Sequence, residues 1–238
     1  MSEVLLSLDT STQAGSVSLS KGENLLGEIF FDLGNTHTDR LLQSVGHILE
    51  ATGLSLSQVD AFGVILGPGS FTGLRVGLAT VKGLALATGK PVVGLSSLKA
   101  LAAHLPFCPL PVCAMIDARK KEIYVEVFNC DKGEPESQTQ AIAVAPEIFL
   151  EKLNTPCCFI GNGALVYRTL IVKKLGERAH FAPWTFSAPR SSIASSLLLS
   201  AFRTGQIMTL EELAPQYIRL SEAEIMWAQR QISQDIVG

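Results

Sequence analysis

Val4-Leu5-Leu6-Ser7-Leu8-Asp9 and Val112-Cys113-Ala114-Met115-Ile116-Asp117 are one phrase written twice: an apolar strand that ends on an aspartate. The likeness continues downstream. Val17 stands as far beyond Asp9 as Val125 does beyond Asp117, and Ser16-Val17-Ser18-Leu19 alternates as Tyr124-Val125-Glu126-Val127 does. Alternation with a period of two marks a half-buried strand. Lys21-Gly22-Glu23-Asn24 and Asp131-Lys132-Gly133-Glu134 supply matching turns, and residues 25–32 complete a meander in the first copy. A recurring supersecondary unit predicts an internal duplication.

Helices follow each meander. Residues 36–51 set Leu41, Leu42, Val45, Ile48 and Leu49 on one helical stripe, with Asn35 or Thr36 as cap and Asp39 in the first turn. Burying such side chains contributes about 1.5–3 kcal/mol each. Residues 60–66 read as a strand, 71–87 as a helix, 91–95 as a strand and 97–104 as a short helix. Pro106, Pro109 and Pro111 mark a hinge. Beyond it, 146–153, 164–175 and 191–203 read as helices, 157–160 as a strand, 215–219 as extended and 220–232 as a polar terminal helix. The pattern predicts an α/β architecture with mixed sheets. The 238 residues suit two lobes of about 110 residues each, divided as 1–105 and 106–238.

Composition narrows the function. The chain is 47% apolar and 17% charged, so part of its surface is expected to be covered by another chain. No apolar run reaches the roughly 18 residues of a membrane span. The chain opens on a strand without a basic leader, so a cytoplasmic protein is expected. Its five cysteines form no C-x-x-C pair and read as reduced, buried thiols. Net charge is −3 and the pI about 5.8, whereas a chain that grips nucleic acid alone shows a basic face. Arg119-Lys120-Lys121 and Lys173-Lys174 are the adjacent basic clusters, and both read as solvated surface. Any nucleic acid is then held mainly by another subunit.

Three stretches could carry chemistry. Asp9-Thr10-Ser11-Thr12 closes a strand before Gly15. An acid there, with hydroxyls and a glycine turn, could approach phosphate or metal, but Ser11 puts a side chain where close backbone approach wants glycine. The same hydroxyls could simply satisfy a β-turn. Gly67-Pro68-Gly69-Ser70-Phe71-Thr72-Gly73-Leu74-Arg75 leads into a helix and offers amides and a positive dipole end to an anion. It lacks the lysine of a P-loop, and Ser70 or Thr72 could equally cap the helix. Gly161-Asn162-Gly163 is a weaker turn of the same kind. Asp9, Thr10, Ser11, Gly67, Gly69, Ser70, Thr72 and Gly73 are therefore the candidate nucleotide or phosphate loop.

At about 100° per residue, Gly73, Gly77, Thr80, Leu84 and Ala87 share a narrow helical face. Leu74, Leu78, Val81 and Ala85 cover a second, and only Arg75 and Lys82 give a polar side. Glycine costs about 0.5–1 kcal/mol in a helix relative to alanine, so Gly73, Gly77 and Gly83 need a packing reason. The reading is a core helix whose extra face meets a helix of another subunit. His37, His47, His104 and His180 form no i, i+4 metal pair, and no G-x-S-x-G elbow exists. No catalytic set and no metal site can be named.

Leu6-Ser7-Leu8-Asp9-Thr10-Ser11-Thr12, Asn35-Thr36-His37-Thr38-Asp39-Arg40-Leu41-Leu42, Gly67 through Gly77 and Pro215-Gln216-Tyr217-Ile218-Arg219 together resemble the TsaB (YeaZ) family over nearly the whole chain. The resemblance implies an actin-like, hexokinase-like (ASKHA) fold of two duplicated lobes. It implies a non-catalytic accessory subunit in tRNA threonylcarbamoyladenosine (t6A) modification. The catalytic paralogue TsaD carries an H-x-x-x-H metal pair that is missing here: Leu41 stands where the second histidine would follow His37. The implied partners are TsaD, the P-loop ATPase TsaE and a second copy of the chain, with tRNA reached only through the complex. Docking would use His37, Leu41, Leu42, Val45, Gly73, Arg75, Gly77, Thr80 and Leu84. No tightly bound cofactor is expected, though ATP or ADP could sit at a subunit junction. The alternatives are a small-molecule kinase or acyl-phosphate transferase of the same fold, resting on Asp9, and a glycopeptidase-like metalloprotease, for which no ligand set is present.

Overall fold

The computed structural model describes residues 2–32 and 37–219, with residues 37–39 described by backbone alone. The first half runs β1 (Val4–Asp9), β2 (Ala14–Lys21), β3 (Asn24–Asp32), α1 (His37–Thr52), β4 (Ala61–Gly67), α2 (Phe71–Thr88), β5 (Val92–Ser96) and α3 (Ser97–Ala102). Its sheet has the order β3-β2-β1-β4-β5. The meander strands pair antiparallel, with Leu8 opposite Val17, while β1-β4 and β4-β5 pair parallel.

The second half repeats this plan. It runs β6 (Val112–Arg119), β7 (Glu122–Asn129), β8 (Glu136–Ser137), β9 (Ile142–Val144), α4 (Pro146–Glu151), β10 (Cys157–Ile160), α5 (Asn162–Val166), α6 (Arg168–Leu175), β11 (Ala179–Phe181) and α7 (Ser191–Arg203). The order is β8-β7-β6-β10-β11, with β9 also paired to β7. Ile116 faces Tyr124 across the antiparallel pair, and Cys113 faces Phe159 across the parallel one. Each lobe thus places its opening strand at the centre, and the duplicated ASKHA-type fold follows from that shared order.

Packing explains which helices survive. Leu41, Val45 and Ile48 of α1 and Leu78, Val81 and Ala85 of α2 bury against Leu6, Leu8, Val17, Phe62 and Val64. The other face of the same sheet, with Leu5, Ala61, Ile65 and Val93, is closed by Ala194, Leu198 and Leu199 of α7. Small residues let α7 come close: the Ser195 hydroxyl lies 3.1 Å from that of Ser18 and 3.2 Å from that of Ser7. The division expected at 106 assigns α7 to the second lobe, but its apolar side belongs to the first sheet. Between the lobes, α3 gives Ala100 to that cluster and Leu98 and Leu101 to the core of the second sheet.

One local expectation needs correction. The helix expected over 164–175 is two helices, α5 and α6, joined at Tyr167 with φ −101° and ψ 15°. β8, β9 and β11 have no counterpart in the sequence reading. The cap at Asn35 or Thr36 and the terminal helix at 220–232 lie outside the described residues.

Candidate functional site at the lobe junction

The first loop folds onto its own helix. Ser70 N–H donates to the Ser11 carbonyl at 2.7 Å, and the Thr10 hydroxyl donates to the Gly73 carbonyl at 2.7 Å. Ser70 caps α2 by accepting from Gly73 N–H. A Cβ at Gly69 would run into the Ser11 carbonyl, one at Gly73 into the Thr10 carbonyl and one at Gly77 into the Thr10 hydroxyl. These three glycines are required by the protein's own loop. That corrects the partner-facing reading of Gly73 and Gly77.

Asp9 is sealed beneath this contact at 1% exposure. One carboxylate oxygen accepts from Ser11 N–H at 2.9 Å, and the other has no hydrogen-bond partner among the described residues. Burial pushes the carboxyl up to about 7, because a low-dielectric surround disfavours the charged form.

A cleft of about 380 Å³ opens between the lobes. Ser11, Thr12, Gln13, Gly69, Ser70 and Phe71 line it from one side, and Asp117, Arg119, Tyr124, Asn162 and Arg219 from the other. Asp9, Thr10, Gly67, Thr72 and Gly73 of the candidate loop are not among its lining residues. The ATP that the fold family implies does not fit this loop. The amides of Ser11, Ser70 and Gly73 are spent internally, and the acid that would face a metal is buried away from the cleft. Among the described residues no cluster of histidine, cysteine and acidic side chains could hold a metal ion. His104 is buried with Nδ1 3.0 Å from the Ala100 carbonyl, and burial lowers its pKa.

The second candidate surface is the outside of α1 and α2. Leu41 and Val45 are core residues, at 0% and 5% exposure, so they cannot meet a partner without unpacking the lobe. Leu42 does point outward at 57% exposure. On α2, Arg75 is exposed while Thr80 and Leu84 are half-buried. The His37 side chain lies outside the described residues. The outward stripe of α2 is instead Arg75, Ala79, Gly83 and Leu86, the last 71% exposed. Gly46 and His47 lie beside Leu42 on the exposed side of α1.

One cluster was missed. Tyr217 stacks on Phe71 with ring centroids 4.1 Å apart and planes 5° apart. Arg75 Nε donates to the Tyr217 hydroxyl at 3.0 Å, with its guanidinium 4.4 Å from the Phe71 ring centre. No local pattern signals this contact, since Tyr217 and Arg75 stand 142 residues apart.

Comparison with known proteins agrees with this architecture. Residues 32–227 match the family described as TsaD: tRNA N6-adenosine threonylcarbamoyltransferase. The tRNA threonylcarbamoyladenosine biosynthesis protein TsaB of Haemophilus influenzae is 38% identical over 72% of this chain and 77% of its own. The chain belongs to the TsaB family. The Escherichia coli TsaB is 30% identical, over 90% of this chain and 94% of its own. The solved YeaZ from Pseudomonas aeruginosa superposes with a TM-score of 0.77 at 31% identity, covering 90% of this chain and 99% of that one. This TsaB-family chain thus shares its fold with the solved YeaZ.

Proposed function

We propose that this chain is a non-catalytic accessory subunit in threonylcarbamoyladenosine modification of tRNA. It docks on a TsaD-type catalytic paralogue, or on a second copy of itself, through the outward sides of α1 and α2. A TsaE-type ATPase joins the assembly, and tRNA is reached through it. The observation that carries this reading is the exposed pair Leu42 and Leu86, with the small residues Gly46, Ala79 and Gly83 between bulkier neighbours. Both helices cover one face of the first sheet, so their outer sides form a surface that another helix pair can approach closely. The pathway comes from the names of its relatives and the TsaD-type partner from the family whose description it matches, while the TsaE-type partner and the second copy rest on the resemblance alone. The burial of Asp9 away from the cleft supports the absence of catalysis and of a tightly held nucleotide. Any ATP or ADP then belongs at a junction with another subunit. The kinase alternative needs a charged, accessible Asp9, which the buried geometry does not support.

Reconstitution tests the proposal. The chain is mixed with the TsaD-type and TsaE-type proteins of its own genome, and threonylcarbamoylation of tRNA is measured with each omitted in turn. Modification should need this chain and fail with it alone. Activity from this chain alone, or no association with the paralogue, would overturn the reading.

A further inference from the structure

Residues 215–219 cross from one lobe to the other in five steps. Gln216 N–H donates to the Leu66 carbonyl at the end of β4, at 2.8 Å. Tyr217 stacks on Phe71 and accepts from Arg75 at the start of α2. Ile218 then packs against the second lobe's core cluster, which contains Ile116 and Tyr124. Arg219 donates to Glu122 on β7 at 2.7 Å. Phe71 and Arg219 both line the cleft. Consecutive residues thus grip opposite walls of the same opening.

We infer that this segment is a clasp that fixes the angle between the lobes, and that it ties this angle to the docking face of α2. Tyr217 N–H closes a tight turn on the Pro215 carbonyl at 3.1 Å and the chain bends at Ile218 and Arg219, so consecutive residues are anchored in different lobes. The first-lobe anchor also belongs to the outward stripe of α2, because Arg75 stands one turn before Ala79. A subunit that covers Ala79 and Gly83 must meet Arg75 and the half-exposed Tyr217. Whatever it does to that stack is passed to Arg219 and the far wall. Coupling between two places needs such an element with two arrangements that both ends bias. The clasp itself stands on the isolated chain; its link to a partner rests on the proposed docking face.

Spin labels carried by unnatural amino acids at exposed Ala51 and Lys173, one per lobe, read the lobe angle without disturbing the cysteines. The parent chain should give one narrow distance distribution. Tyr217→Ala and Arg219→Ala should at least double its width, and Tyr217→Phe, which keeps the stack, should stay nearer the parent. Should Tyr217→Ala fail to fold, the surface change Arg219→Ala carries the same test. Widths equal to the parent's overturn the clasp. The TsaD-type paralogue is then added. Narrowing of the Tyr217→Ala distribution supports the coupling. Binding without narrowing overturns the coupling and leaves the docking face standing. No binding by the parent overturns the docking face and leaves the clasp to the isolated-chain result.

Discussion

β1 ends on its aspartate, Asp9, whereas β6 runs two residues past the matching Asp117 to Arg119. After β1 the chain is pressed under α2, and Asp9 is closed off at 1% exposure. After β6 it turns out into the solvent: Arg119, Lys120 and Lys121 all take positive φ, at 63°, 51° and 64°. Asp117 keeps a 14% exposed side chain, 3.8 Å from Arg119. Yet both strands are approached by glycines at or just before a helix start. Gly69 and Gly73 abut the carbonyls of Ser11 and Thr10, and Gly163 abuts the backbone of Met115 and Ile116. The strand order is the duplicated part, since parallel and antiparallel pairings must agree across a whole sheet. Loops and helices carry no such joint constraint. α2 has 18 residues where its counterpart α5 has 5.

The largest break between the lobes should appear as pH dependence at Asp9. The carboxyl moves from 3.8 to about 7 on folding, and one pKa unit is about 1.4 kcal/mol. The folded state holds the proton more tightly than the unfolded state does. Stability is therefore fully present below about pH 4, falls as pH rises, and levels off above about pH 7 after losing on the order of 4 kcal/mol. Asp9→Asn should flatten that slope in urea titrations run at several pH values. An unchanged slope in Asp9→Asn would show that the acid is solvated.

Next in size is the glycine contact. Gly69→Ala should cost about 3 kcal/mol, because a backbone carbonyl cannot step aside as a side chain can. Gly163→Ala should cost less, since its nearest atoms lie at 3.0 Å. Urea midpoints of the two variants decide this, and the reverse order would break the comparison.

The docking face should also belong to one lobe alone. Ala79→Arg on the outside of α2 should weaken association at least tenfold, about 1.4 kcal/mol, with the melting temperature unchanged. Val172→Arg, on an exposed site of α6, should leave it alone. Ultracentrifugation with the paralogue reads both, and equal effects would move the interface. Gly77→Leu is a poor probe of that face, for it strikes Thr10 before it reaches any partner. The smallest effect is expected for Asp117→Asn, below about 1 kcal/mol by urea denaturation, because its partner Arg119 is 68% exposed at 3.8 Å and water screens such a pair. A larger loss would mean that Asp117 is as structural as Asp9.

The duplication and the long helices were legible because alternation and heptad-like spacing are local patterns. The two uses of a small residue were not. Gly73 and Gly77 have the same spacing whether a backbone approaches from within the chain or from outside, and only the Thr10 contact tells them apart. Leu41 and Leu42 are adjacent in sequence and differ in exposure from 0% to 57%, a difference set by helix rotation on the sheet. The clasp was unreadable for another reason: Tyr217 and Arg75 are far apart in the chain, and nothing local announces their meeting.

The return of α7 to the first sheet has a consequence for synthesis. β5 is complete at Ser96, but the helix that covers Leu5, Ala61, Ile65 and Val93 ends only at Arg203. At 5–20 residues per second a ribosome takes roughly 5–20 s to make the intervening chain. For that interval the first sheet has one dry face and one wet one. The amino-terminal half therefore cannot finish folding while it is being made, and its bare face is the surface that a chaperone, or a premature neighbour, meets first.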